Sequence, residues 1–202
     1  MTNKYILKYC SESVACIMDL KKCAAKIDQI VENLSDAWKK RRNVFVIGNG
    51  GSASTATHFA ADLMKTTTDS PSGAGIKAIS LDNVPLNSAI INDWGKEQLF
   101  FCQLNALFNP EDLLVVFSVH GGAGSDKAGL WSQNLVQAIN FAKDKRGLTI
   151  GFSGFDGGIM AKICDISLVV PVNSTPLVES FHLWLSHLIT FRLKELMNER
   201  QM

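Results

Sequence analysis

Between Lys4 and Arg42 the apolar side chains fall at Ile6, Cys10, Val14, Ile17, Leu20, Ala24, Ile27, Ile30, Val31, Leu34 and Trp38. That three-and-four spacing marks one face of a helix, so residues 5–40 are expected to be helical. The run Lys39-Lys40-Arg41-Arg42 closes the stretch, where cations suit a helix C-terminus. From Val44 the texture changes to short runs rich in Val and Ile. Strands are expected at Asn43–Ile47, Ile76–Leu81, Leu113–Phe117, Leu148–Phe152 and Ile166–Val170. Helical patterns lie between them, at Ser54–Lys65, Leu86–Asn109, Leu130–Lys143, Ile159–Ile163 and, last, Pro176–Met197. Strands alternating with helices argue for an α/β chain with five parallel strands covered on both faces, doubly wound and flavodoxin-like. Residues 1–42 then form a long N-terminal helical extension that packs on residues 43–202 or on a partner subunit. Ligands of such sheets sit beyond the carboxyl ends of the strands, which directs attention to the residues after Ile47, Leu81, Phe117, Phe152 and Val170.

Composition narrows the class. The 202 residues carry 20 Lys plus Arg against 19 Asp plus Glu, a net charge of +1, so neither nucleic acid nor an anionic membrane is expected as a partner. Hydrophobic residues make up 47%, which excludes a disordered chain, and charged residues only 19%, which hints at surface buried in an oligomer. The longest apolar runs are too short to span a bilayer, and the N-terminus has no signal-peptide apolar core. Five cysteines without a CxxC spacing fit reduced thiols in a cytoplasmic protein.

The strongest local signal is Gly48-Asn49-Gly50-Gly51-Ser52-Ala53, after a strand and opening a helix. Glycines admit close backbone approach, and the helix N-terminus offers free N–H groups to an anion such as phosphate. The same text fits a dinucleotide fingerprint, but no acidic residue ends the next strand at the required distance. On the following helix His58 and Asp62 stand four apart, on one face. The last helix adds Glu179, His182 and His187. Two imidazoles and two carboxylates would suit zinc, and histidines that merely pack are an equal alternative on spacing alone. Ser118-Val119-His120-Gly121-Gly122-Ala123-Gly124-Ser125 is a second glycine-rich loop, while Asp156-Gly157-Gly158 reads as a turn and Trp94, Trp131 and Trp184 as packing residues.

Val46-Ile47-Gly48-Asn49-Gly50-Gly51-Ser52, continued by His58-Phe59-Ala60-Ala61-Asp62-Leu63, resembles the phosphoheptose isomerase branch of the SIS (sugar isomerase) domain proteins. The resemblance covers nearly the whole chain. It implies an aldose–ketose isomerase that converts sedoheptulose 7-phosphate to a heptose 7-phosphate through an enediolate. It further implies a homotetramer with active sites shared between subunits and one zinc per subunit. Carried over, metal binding falls to His58, Asp62, Glu179 and His187, and proton transfer to Asp62 and His187. Substrate contacts fall to Asn49, Gly50, Gly51, Ser52, Asp62, Asn92, Asp93, Ser118, Val119, His120, Ser125 and Glu179. The chain departs from the family at Asp62, where glutamate is usual, and at Glu179, where glutamine is usual. It departs again at Val119, His120 and Ala123, which replace hydroxyl-bearing residues. Relatives of this branch also include non-catalytic modules that bind a sugar phosphate or a protein such as a replication initiator; the presence of His187 favours catalysis.

Overall fold

A computed structural model describes residues 3–122 and 132–199. Helix α1 (Lys4–Leu20) passes through a 3-10 turn (Lys21–Cys23) into α2 (Ala24–Lys39), so the expected leading helix is present with one tightened turn inside it. There follow β1 (Asn43–Gly48), α3 (Gly51–Lys65), β2 (Lys77–Ser80), α4 (Val84–Trp94), α5 (Leu99–Leu107), β3 (Leu113–Phe117), α6 (Gln133–Asp144), β4 (Leu148–Ser153), α7 (Met160–Ile163), β5 (Ile166–Val169) and α8 (Thr175–Glu199). The stretch expected as helix over 86–109 is divided. Gly95 sits at φ 92°, outside helical space, and ends α4 before a short 3-10 turn leads into α5.

All five strands are parallel, in the order β2-β1-β3-β4-β5. Alternate residues of each strand serve opposite faces. Val44 and Val46 join a core with α2, α3 and α8, while Phe45 and Ile47 join a second core with α5, α6 and Met160 of α7. β3 is buried along its whole length, as a central strand covered on both sides must be. Asp112 fixes how β1 and β3 start: its carboxylate accepts from the Asn43 backbone N–H at 2.8 Å, the Asn43 side chain at 3.0 Å and the Asn109 backbone N–H at 2.8 Å. At the other edge Asp165 accepts from the backbone and hydroxyl of Thr149 at 2.9 and 2.6 Å, joining the starts of β4 and β5.

The inner face of α2 is core, with Ile30, Leu34 and Ala37 fully buried. α1 differs: Tyr5, Ile6, Leu7, Val14, Ile17 and Met18 all lie exposed along it. No helix among the described residues is long and apolar enough to cross a membrane. β1 and β3 leave the sheet centre with their connections running in opposite directions, and the crevice between their carboxyl ends is the switch point where such folds bind ligands.

Candidate functional site

A cleft of about 480 Å³ opens at that switch point. One wall is the turn from β1 into α3, Asn49 to Ser52; the other is the loop after β3, Ser118 to His120 with Gly122. Phe117 forms part of the lining, and Ser132, Thr175 and Glu179 complete it. The β1 turn is built for close approach. Gly50 adopts φ 57°, a conformation that favours glycine, and the Ser52 and Ala53 N–H groups turn back onto the Asn49 and Gly50 carbonyls. A Cβ on Gly51 would meet the Glu179 carboxylate, the flexible end of a side chain that reaches over from α8.

The loop after β3 is held by its own neighbours. The Ser118 hydroxyl accepts from the Gly122 N–H at 3.1 Å. The Asp156-Gly157-Gly158 segment, expected as a turn, is one, and it lies directly beneath: Gly121 has φ 62° and a Cβ there would strike the Gly157 carbonyl, while a Cβ on Gly158 would strike the carbonyl of His120. Gly154 N–H and Met160 N–H bond the carbonyls of Val119 and Gly121, both at 3.0 Å. The His120 ring lies 4.5 Å from Phe155. Ser125, Ala123, Gly124, Leu130 and Trp131 lie outside the described residues.

His58, Asp62 and His187 come together between α3 and α8. His58 Nε2 is 2.9 Å from His187 Nε2; Asp62 Oδ2 is 3.3 Å from the first and 3.8 Å from the second. Two N or O ligands about 2.1 Å from one tetrahedral ion stand about 3.4 Å apart, so these three atoms suit a shared metal in both identity and spacing. The other carboxylate oxygen, Oδ1, accepts from the Thr66 hydroxyl at 3.3 Å. The two imidazoles are about half exposed, and the surface around them is apolar, with Met64, Trp184, Leu188 and Phe191 uncovered.

Not every expected residue joins. Glu179 stands in the cleft against Gly51 and is not a member of the three-residue donor cluster. Asn92 and Asp93, late in α4, bond to each other at 2.7 Å on the exposed surface and are not among the residues lining the cleft. His182, the histidine nearest Glu179 in sequence, is fully buried against Phe117 and Phe152 instead. Burial pushes its imidazole down to about 4, against a smaller upward pull from the Ser153 backbone, so it is neutral. Trp94 and Trp184, expected to pack, are exposed. Two residues that spacing did not single out, Ser132 and Asn134, bond the Asn49 amide across the cleft.

Comparison with known proteins identifies the family. Residues 8–154 match the SIS domain family model. The chain is 38% identical to the phosphoheptose isomerase of Aliarcobacter butzleri over 76% of each chain, and 37% identical to phosphoheptose isomerase 1 of Campylobacter jejuni over 80% of this chain and 82% of that one. The solved structure of a phosphoheptose isomerase from Francisella tularensis superposes with a TM-score of 0.85 at 25% identity, covering 96% of this chain and 100% of that one. The chain belongs to the SIS domain family, in its phosphoheptose isomerase branch.

Proposed function

We propose that this protein is a phosphosugar isomerase that interconverts sedoheptulose 7-phosphate and a heptose 7-phosphate. The observation that carries the reading is the meeting of His58, Asp62 and His187 from two helices whose N-terminal turns also frame the switch-point cleft. Along α3 the rise from Ser52 to His58 is about 9 Å, so an extended phosphosugar can reach from the glycine turn toward the three donors. The glycine turn and the positive end of α3, with the hydroxyls of Ser52 and Ser118, receive the anionic end. Val119 and His120 shape the cavity beside it, and Glu179 faces the sugar from α8. Asn92 and Asp93 contribute on assembly.

The chemistry moves a proton between adjacent carbons. Asp62 removes the proton next to the carbonyl, and His187 delivers one to the neighbouring position or its oxygen, through an enediolate. Both side chains belong to one cluster, so a single bound sugar meets them together. Zinc held by His58, Asp62 and His187 would polarise the sugar oxygens and stabilise the enediolate charge; because a liganding nitrogen carries no proton and a liganding carboxylate is a weaker base, Asp62 and His187 would alternate between holding the ion and moving protons. Glu179 serves as fourth ligand only by leaving Gly51.

The exposed apolar side chains of α1, and those around the two histidines, support a homotetramer in which neighbouring subunits cover the site. A reduced, cytoplasmic setting fits the unpaired cysteines. Incubation of the protein in deuterated water with pentose, hexose and heptose ketose phosphates tests the activity. Deuterium is expected beside the carbonyl of at least the heptulose; binding of the whole panel without exchange would identify a non-catalytic module.

A further inference from the structure

Asn49, in one wall of the cleft, is tied to α6 by a pair of amides. Asn49 follows β1, and Asn134 lies in the first turn of α6. Asn49 Nδ2 donates to Asn134 Oδ1 at 3.1 Å, and Asn134 Nδ2 donates to Asn49 Oδ1 at 2.9 Å. Asn49 Nδ2 also reaches the Ser132 hydroxyl at 3.3 Å. Asn134 is only 8% exposed, and its Oδ1 additionally accepts from the Leu135 N–H at 3.0 Å. Both N–H donors and the carbonyl of the Asn49 amide are therefore engaged within the protein. Its own backbone carbonyl accepts from Ser52 N–H and so helps set the turn. A second hollow of about 350 Å³, containing Lys96 and Glu97, shares Asn49 and Ser132 with the cleft. The amide pair thus stands where two hollows meet.

We infer that Asn134 is a positioning residue for phosphosugar binding: acting through Asn49, it fixes the glycine turn against the entry to α6 and so sets the width of the anion site. The inference rests on the cleft being the phosphosugar site proposed above. An amide pair suits the task because it satisfies both partners without charge, leaving the field of the helix N-terminus for the ligand. Losing it frees the turn while leaving the donor cluster on α3 and α8 in place.

Asn134→Asp keeps the size and the acceptor facing the Leu135 N–H, but removes the donor to Asn49 Oδ1 and sets two oxygens face to face. Its KM for the phosphosugar should rise about tenfold, with kcat within about twofold of wild type and zinc content unchanged. Asn134→Ser, which still offers an oxygen to the start of α6, should behave alike. In an Asn49→Ala background, Asn134→Asp should add nothing further. A wild-type KM for Asn134→Asp, or effects that multiply in the double variant, would overturn the inference. Calorimetric binding of inorganic phosphate reads the same turn without turnover, so loss of the isomerase reading leaves this test standing. Phosphate binding weakened by Asn134→Asp supports the inference; equal binding, or none by the wild type, overturns it.

Discussion

His58 and His187 face each other Nε2 to Nε2 at 2.9 Å, although 129 residues separate them in the chain. Such an approach is held by an N–H of one ring donating to the nitrogen of the other, and an ion between them serves the same end with Asp62 as the third donor. Purified protein should therefore carry about one zinc-like ion per chain by elemental analysis. The double variant His58→Ala, His187→Ala should lose it and keep wild-type circular dichroism. Retention of the ion by the double variant would place the site elsewhere.

Asp62 is the base in the proposed reaction. Asp62→Asn keeps its size and removes the basic oxygen, so solvent deuterium exchange should fall by about 100-fold or more. His187→Gln should slow the same exchange. Unchanged exchange in Asp62→Asn would remove it from proton transfer.

The Thr66 hydroxyl bonds Asp62 Oδ1, leaving Oδ2 for the two histidines. Thr66→Val removes the bond at nearly constant volume. Zinc affinity, measured against a chromophoric chelator, should drop about tenfold, the lower end of what outer-shell partners contribute, and Thr66→Ser should restore it. Equal affinities for all three proteins would show that the bond does not orient the carboxylate.

Gly51 leaves no room for a side chain beside Glu179. Gly51→Ala should displace that carboxylate and weaken phosphosugar binding by about tenfold or more while the fold persists, and Gly51→Val should abolish binding. Calorimetry with the ketose phosphate decides it. Tight binding by Gly51→Val would move the anion site away from this turn.

Burial would raise the Asp165 carboxyl, but hydrogen bonds from Thr149 and the ammonium of Lys143 outweigh it and hold it below the ordinary carboxylate range. A carboxylate depressed in the folded state stabilises the fold above its unfolded value, about 3.9, and that stability is lost as pH falls through the lower folded value. Urea midpoints should decline below about pH 4 in the wild type. Asp165→Asn should start lower at neutral pH and decline less. Parallel curves would show that Asp165 contributes nothing to acid sensitivity.

Much of this architecture is legible in residue order. Runs such as Leu113–Phe117 have one stable destination, a strand covered on both faces, and the glycine turn after Ile47 follows from its place between strand and helix. Four-residue spacing put His58 beside Asp62 correctly. The same logic could not separate His182 from His187, because which side of a 25-residue helix meets the sheet depends on Phe117 and Phe152, far away in the chain. Nor could it reveal Asn134, whose partner lies 85 residues earlier. Gly95 was readable as glycine, but its positive φ, which ends α4, depends on how Phe100 and Leu104 of α5 seat in the second core.

The contact between the loop after β3 and the turn beneath it constrains how this cleft can diversify. At Gly121 and Gly158 each backbone lies against the other's neighbours, with no volume for even a methyl group. Val119 and His120, two and one positions before Gly121, instead contribute to the lining of the cleft. Random mutation is thus filtered unequally along three residues of chain: drift is barred where backbone meets backbone and free where side chains line the cleft. A lineage that changes its substrate will record the change at 119 and 120, over an unaltered glycine frame.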